Sequence, residues 1–253
     1  MKHRIIKGDC RKVLKGLPEN SVHLVITSPP YNVGIGREGW TDRLPDKEYL
    51  KLTKAWLKEC YRVLADGGKI CVNLPLNDNS NIAFLHLKIM KELGFTFKTN
   101  ILWVKWDIKR KEKFAVSKWR IDKFQFPNQP NSILINAYEI ILVMQKNKGY
   151  SKGKKDLTFN EFKKWKYNVW FIKPIVERGE GHHPAPYPVE LAKRLVKLYS
   201  LVGQIVLDPF LGTGTTSISA MKLGRNSIGI EMSSEYVEMA KERLEDCVVV
   251  ENN

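Results

Sequence analysis

One stretch near the carboxyl end constrains the fold more than any other part of the sequence. Gln204–Leu207 is a short apolar run, Thr215–Leu223 repeats apolar residues at helical spacing and halts at Gly224, Ser227–Ile230 is a second apolar run, and Ser233–Leu244 a second helix. Strand, helix, strand, helix at this spacing is a βαβα unit, which winds back onto one sheet. The loop after its first strand reads Asp208-Pro209-Phe210-Leu211-Gly212-Thr213-Gly214-Thr215. A doubly wound sheet takes nucleotide-like ligands at that place, outside the carboxyl ends of its strands. Gly212 and Gly214 let the backbone run close to such a ligand, and Glu231, closing the next strand, is placed to accept hydrogen bonds from two ribose hydroxyls. Two familiar glycine loops are excluded: Ser217 stands where a dinucleotide fingerprint has its third glycine, and Thr215, not lysine, follows Gly214, so no cation serves the β- and γ-phosphates of a P-loop nucleotide. Spacing alone does not identify the cofactor, and a tight turn beside an ordinary strand-end acid is the plain structural alternative.

The first half continues the alternation. Ser21–Ile26 is an apolar-rich strand that must stop at Thr27-Ser28-Pro29-Pro30-Tyr31, because two prolines cannot continue a hydrogen-bonded central strand. Asp46 is positioned to cap a helix running to about Leu64, with Tyr49, Leu50, Leu52, Thr53, Trp56, Leu57 and Cys60 near one face, and Asp66-Gly67-Gly68 ends it. Lys69–Leu74 reads as a buried strand, Ile82–Leu93 as a helix stopped at Gly94, and Phe95–Val104 as a strand, together the pattern of a parallel α/β sheet. After Lys105 the pattern breaks until Pro188, where a helix to about Leu201 closes at Gly203; one clear strand, Tyr138–Gln145, interrupts the gap. With 253 residues, 43% of them hydrophobic, the chain has enough for one core: residues 1–104 and 174–253 form a single domain and 105–173 an inserted lobe.

That lobe carries 17 Lys and Arg against 6 Asp and Glu, so most of the formal charge of +15 lies in it. A charge run is usually a solvated face. Here Trp103, Trp106, Trp119, Trp165, Trp170, Phe124 and Phe126 fall in or beside it, and cations with interleaved rings suit a nucleic acid, where phosphates meet the charges and bases stack on the rings. No apolar run reaches the roughly 18 residues that span a bilayer, and Met1-Lys2-His3-Arg4 leads into a strand-like segment; a soluble, cytoplasmic protein with no membrane partner is expected. Cys10, Cys60, Cys71 and Cys247 are scattered singly, which signals neither zinc nor disulfides but buried thiols.

The Ser28-Pro29-Pro30-Tyr31 loop is a rigid platform of acceptors: proline fixes φ and removes donors but keeps its carbonyl. A target amine held there would donate to the Ser28 hydroxyl and the Pro29 carbonyl, aiming its lone pair at a sulfonium methyl group, while Tyr31 stacks on the base. A proline turn with a packed tyrosine is the bland alternative.

At these residues the sequence resembles the amino-methyltransferases of DNA modification, whose signature pairs Ser/Asp-Pro-Pro-Tyr/Phe with a Phe-x-Gly-x-Gly cofactor loop, here Phe210-Leu211-Gly212-Thr213-Gly214. The order of catalytic loop, basic region, cofactor loop is similar to the β group of that family. Gly8-Asp9 resembles a segment whose acid approaches the adenine ring of S-adenosylmethionine, and His183-Pro184-Ala185-Pro186-Tyr187-Pro188 the segment before the helix that closes over the methionine moiety. The resemblance implies a Rossmann-like S-adenosylmethionine-dependent sheet, with 1–104 as the catalytic part, 105–173 as the target-recognition insertion and 174–253 as the cofactor-binding part. Its implied catalytic residues are Ser28, Pro29, Pro30 and Tyr31, and its cofactor residues Asp9, Pro186, Asp208, Pro209, Phe210, Gly212, Gly214, Thr215 and Glu231, with no metal. It implies double-stranded DNA as substrate, a base flipped from the stack, a cognate restriction endonuclease as possible partner, and a monomer or homodimer. Methylation at C5 of cytosine needs a nucleophilic cysteine, typically after proline, and no cysteine here follows one. Ser28 favours N4 of cytosine, since aspartate is commoner in the adenine-N6 enzymes. An N6-adenine methylase, an inert DNA-binding module, and an RNA or protein-amide methyltransferase are the alternatives.

Overall fold

A computed structural model describes residues 2–32, 34, 43–76, 81–107, 112–113, 137–149, 152–175, 187–244 and 248–251. In chain order the strands are β1 (His3–Lys7), β2 (Val22–Thr27), β3 (Leu64–Pro75), β4 (Thr96–Val104), β5 (Trp106–Asp107), β6 (Glu112–Lys113), β7 (Tyr138–Gln145), β8 (Val169–Phe171), β9 (Ile205–Asp208), β10 (Asn226–Glu231) and β11 (Val248–Glu251). The helices are α1 (Cys10–Val13), α2 (Asp46–Val63), α3 (Ile82–Glu92), α4 (Phe159–Trp165), α5 (Val189–Tyr199), α6 (Thr215–Lys222) and α7 (Ser234–Arg243).

Nine strands form one sheet in the order β11-β1-β10-β9-β2-β3-β7-β4-β8, and β5 and β6 pair separately. The β9-α6-β10-α7 unit is the expected βαβα. From β9 the chain steps to β10 and from β2 to β3, in opposite directions across the sheet, so β9 and β2 flank a topological switch point. Three apolar clusters fill the two interfaces. Trp56, Leu57 and Val63 of α2 and Ile89 and Met90 of α3 cover one face; Leu191, Leu195 and Val196 of α5 lie in the cluster that covers the other. The third joins Ile5 of β1 to Ile218 of α6 and Val237 and Ala240 of α7. Cys10, Cys60 and Cys71 are buried, as expected of thiols at apolar positions, and Cys247 lies outside the described residues. No helix among the described residues is long and apolar enough to cross a membrane.

Several expectations change. The sheet is mixed: β7 runs antiparallel to both neighbours, with Pro75 opposite Glu139 and Val104 opposite Tyr138. The chain leaves β4 and re-enters β7 at one edge of the sheet, which forces the reversal. Residues 105–173 are therefore not a lobe throughout, since β7 sits between β3 and β4, and β8 forms the sheet edge beside β4. Asp46 is the first helical residue of α2, preceded by Pro45 without a side-chain cap. Asp66-Gly67-Gly68 lies inside β3, where Gly67 takes φ +79° against the turn after β7; a Cβ there would stand 2.4 Å from the Gly149 carbonyl oxygen.

Candidate active site

Thr27 is the last residue of β2, and it delivers Ser28-Pro29-Pro30-Tyr31 to the carboxyl edge of the sheet beside the loop that follows β9. The two loops are tied through Asp208, which is 1% exposed. Its Oδ1 accepts from the Thr27 hydroxyl at 2.8 Å and the Phe210 N–H at 3.1 Å; its Oδ2 accepts from the Thr216 hydroxyl at 2.6 Å and the Tyr187 phenol at 3.0 Å. Burial raises the Asp208 pKa, and these four donors oppose the rise. Asp208 thus holds the loop from within, with both carboxylate oxygens engaged, so any contact with a cofactor would fall to its backbone. Burial holds the Tyr187 phenol neutral.

The glycine loop turns sharply at Gly212 (φ +54°) and Gly214 (φ +89°), the second standing just before α6. At Gly214 an added Cβ would meet the Cβ of Ala240 at 3.2 Å, so this glycine also lets α7 pack onto the loop. Arg243 of α7 donates to the Thr213 carbonyl and hydroxyl at 2.6 and 2.8 Å. Pro209 and Thr215 are buried within the turn. Phe210 stands edge-on to Trp56 with ring centroids 5.3 Å apart, which braces the loop from α2.

Glu231 ends β10 with one carboxylate oxygen on the Gly212 N–H at 2.8 Å and the other on the N–H groups of Met232 and Ser233 at 2.9 and 3.0 Å. A carboxylate offers about four lone-pair directions, so the three bonds leave room for one ribose hydroxyl, not the two expected. Lys7 lies opposite Glu231, and the following Gly8 N–H donates to the Glu231 carbonyl at 2.8 Å, so Asp9 stands at the same edge. Its carboxylate caps α1 at the Arg11 N–H and pairs with the Arg11 guanidinium. Burial pushes its pKa up, but the Arg11 hydrogen bonds and charge outweigh this and hold it below the usual range. Pro186, with His183 to Ala185, lies outside the described residues, and Tyr187 begins the described segment. The edge therefore gathers a glycine turn and the Glu231 carboxylate with an acceptor direction open to a hydroxyl donor, a set that fits S-adenosylmethionine, while both Asp9 oxygens are engaged by Arg11.

At the catalytic loop, Pro29 is buried and Ser28, Pro30 and Tyr31 are half-buried. The Tyr49 phenol of α2 donates to the Pro30 carbonyl at 2.9 Å, which leaves the Pro29 carbonyl as the proline acceptor that no described side chain engages. Tyr31 packs its ring against the α2–α3 side of the core and turns its hydroxyl to Ser28 Oγ at 2.5 Å. Burial keeps this phenol neutral, reinforced by the negative charge of Glu139.

Beyond Tyr31 lie Asn73 and Lys105, which no motif announces, and Glu139, whose run Tyr138-Glu139-Ile140-Ile141 resembles the family's strand near the recognition region but suggests no chemical role for the acid. Asn73 of β3 donates its amide to Tyr31 Oη at 3.1 Å and to Glu139 Oε2 at 2.6 Å, and its backbone carbonyl accepts from the Tyr31 hydroxyl at 3.3 Å. Lys105, just past β4, closes the chain on Glu139. The one local sign was Asn73 itself, a polar residue in the run Cys71-Val72-Asn73-Leu74. The expected aromatic surface divides: Trp103, Trp165 and Trp170 are core residues, while the side chains of Trp106, Trp119, Phe124 and Phe126 are outside the described set. Phe159, Phe162, Tyr167 and Phe171 are the exposed rings on and around α4 and β8, among Lys163, Lys164 and Lys166.

A family model described as DNA methylase matches residues 22–242. The chain is 33% identical to the type II methyltransferase M.HpaI of Haemophilus parainfluenzae, over 97% of this chain and 75% of that protein. It is 34% identical to the type II methyltransferase M.BglII of Bacillus subtilis, over 94% and 68% respectively. Among solved structures, TTHA0409 of Thermus thermophilus, described as a DNA modification methylase and crystallised with S-adenosyl-L-methionine, superposes with TM-score 0.74 at 29% identity, covering 99% of this chain and all of that one. The cytosine-N4-specific PvuII DNA methyltransferase shares the fold with TM-score 0.75 at 21% identity, over 98% of this chain and 89% of that one.

Proposed function

Since the chain belongs to the N6/N4 DNA methylase family, whose members methylate DNA with S-adenosylmethionine, we propose that it acts on N4 of cytosine in duplex DNA. The observation that carries the proposal is the position of Ser28: a neutral hydroxyl, not a carboxylate, heads the Pro-Pro-Tyr loop beside the cofactor loop, to which it is joined through Thr27 and Asp208. When bound, S-adenosylmethionine supplies an electrophilic methyl group. Gly212, Gly214, Pro209, Phe210 and Thr215 shape its bed, Glu231 accepts from a hydroxyl donor, and Asp9 stands at the same edge, where it would accept from the cofactor only by giving up a contact to Arg11. Ser28 Oγ and the Pro29 carbonyl accept from the two amine hydrogens, which turns the nitrogen lone pair toward the methyl group and replaces random encounter by a held geometry. Tyr31, half-buried beside Ser28, is read as the ring that stacks on the base. The chain needs neither a covalent intermediate nor a metal for this reading.

A base paired inside a duplex cannot reach a half-buried serine at a strand end, so the reading includes extrusion of the target base. Residues 108–136 carry 7 Lys and Arg against 2 Asp and Glu and, with the cations of 152–173, are assigned to phosphate contact and target recognition. A cognate restriction endonuclease sharing the recognition sequence is the partner to seek, and a monomer suffices to methylate one strand at a time.

The test is incubation of the protein with isotopically labelled S-adenosylmethionine and unmethylated duplex DNA, digestion to nucleosides and mass spectrometry. Labelled N4-methylcytosine is expected. Labelled N6-methyladenine would keep the site and reverse the base, and label in RNA or protein alone would overturn the substrate.

A further inference from the structure

We infer that Glu139, through Asn73, is a positioning residue that sets the hydrogen-bond polarity of the Ser28–Tyr31 pair; this rests on the reading of Ser28 and Tyr31 as the amine platform. The amide of Asn73 has two possible orientations, and the structure holds the one with Nδ2 toward both Glu139 and Tyr31 while leaving Oδ1 buried without a partner among the described residues. An orphaned buried acceptor calls for a reason. Glu139 supplies it: a flipped amide would set its oxygen against a carboxylate, and that carboxylate is held in place by its ion pair with Lys105.

The consequence runs to Ser28 by counting protons. The Tyr31 phenol has one, and the Asn73 backbone carbonyl accepts it. The Asn73 amide fills one lone pair of the same oxygen. The contact with Ser28, at 2.5 Å, then has Ser28 as donor to the remaining lone pair. Ser28 so oriented turns its lone pairs, and not its proton, to an incoming amine. Without the Glu139 charge the amide is free to flip, Tyr31 can send its proton to Ser28, and the Ser28 proton then faces the amine hydrogens. Lys105 stands at the mouth of the basic segment, with its ammonium 4.4 Å from the Trp103 ring centroid, so the same chain joins the platform to the start of the DNA-recognition region.

The test is a double-mutant cycle on the full chain, read as the single-turnover methyl-transfer rate at saturating S-adenosylmethionine and DNA, with cofactor affinity and thermal midpoint measured in parallel. Glu139→Gln is expected to slow the chemical step about tenfold with cofactor affinity unchanged. In a Tyr31→Phe background, which has no hydroxyl to orient, the same substitution should cost less than about twofold, because interacting sites lose additivity. Equal slowing in both backgrounds would show that Glu139 does not act through Tyr31 and would overturn the inference, as would an unslowed Glu139→Gln enzyme. Ser28→Ala separates the two claims: a full rate there removes the platform itself, whereas a slowed Ser28→Ala enzyme with an additive cycle removes only the role of Glu139.

Discussion

Replacing Asp208 by Asn probes the joint between the two loops with almost no change of shape. The carboxylate accepts two donors on each oxygen; an amide keeps one acceptor oxygen and presents an NH2 group where the other stood. The Phe210 N–H cannot rotate, so the new amide would keep its oxygen on the Thr27 and Phe210 side and face Tyr187 and Thr216 with hydrogens. Those hydroxyls can turn to accept, but two charge-assisted bonds become ordinary ones. Hydrogen bonds to charged groups contribute about 1.5–3 kcal/mol each against about 1 for neutral pairs, and relief of a buried charge offsets part of the difference, leaving a loss of about 2 kcal/mol. For a chain of this size that is about 4–8 °C in the thermal midpoint. Because Thr27 precedes Ser28 and Phe210 begins the cofactor loop, cofactor affinity and methyl-transfer rate should fall together. Thermal unfolding, titration with S-adenosylmethionine and single-turnover labelling measure the three quantities. An Asp208→Asn protein as stable as the parent, with unchanged affinity and rate, would refute the idea that this carboxylate holds the site together.

Other substitutions separate the parts. Tyr31→Ala should lower methyl transfer while sparing cofactor affinity, and Gly212→Val should show lost affinity first, because it strains a positive φ in the turn assigned to the cofactor; equal loss of both quantities in both variants would contradict the division. Gly214→Ala should destabilise the fold by about 1–2 kcal/mol in urea unfolding, since its φ is +89° and Ala240 stands 3.2 Å from the added carbon. His86 is buried with its pKa lowered to about 4, burial outweighing its bond to the Ile82 carbonyl. An unfolded histidine takes up its proton near pH 6.5, so stability is full above that pH and is lost as the pH falls toward about 4, by up to about 3 kcal/mol. His86→Leu should flatten that slope between urea titrations at pH 7 and pH 5, and an unaltered slope would assign the acid sensitivity elsewhere.

Much of this protein was legible one element at a time. Helical spacing in α5 and α6, apolar runs in β2, β9 and β10, and stops at Gly94, Gly203 and Gly224 are local effects of side-chain periodicity and backbone freedom, so the sequence alone placed them to within a residue or two. The two loops were legible for the same reason, since a double proline and a pair of glycines restrict the chain wherever they occur. Boundaries failed where a neighbour intervened, as at Gly67, which continues a strand because the Gly149 turn packs against it.

Only the tertiary structure decided how those loops were held. Thr27 and Asp208 are 181 positions apart, and Asn73 and Glu139 are 66 apart, so although some of these residues lie in recognisable runs nothing local shows that they pair. Asp208 enters the sequence reading only as the first residue of the cofactor loop, and strand pairing makes its carboxylate an internal tie with four donors. The tryptophans in and beside 105–173 read as a stacking surface until β7 and β8 entered the main sheet and Trp103, Trp165 and Trp170 fell in its core. Periodicity and turn chemistry act over a few residues and survive in any context; burial, charge pairing and hydrogen-bond polarity depend on which distant strands lie side by side.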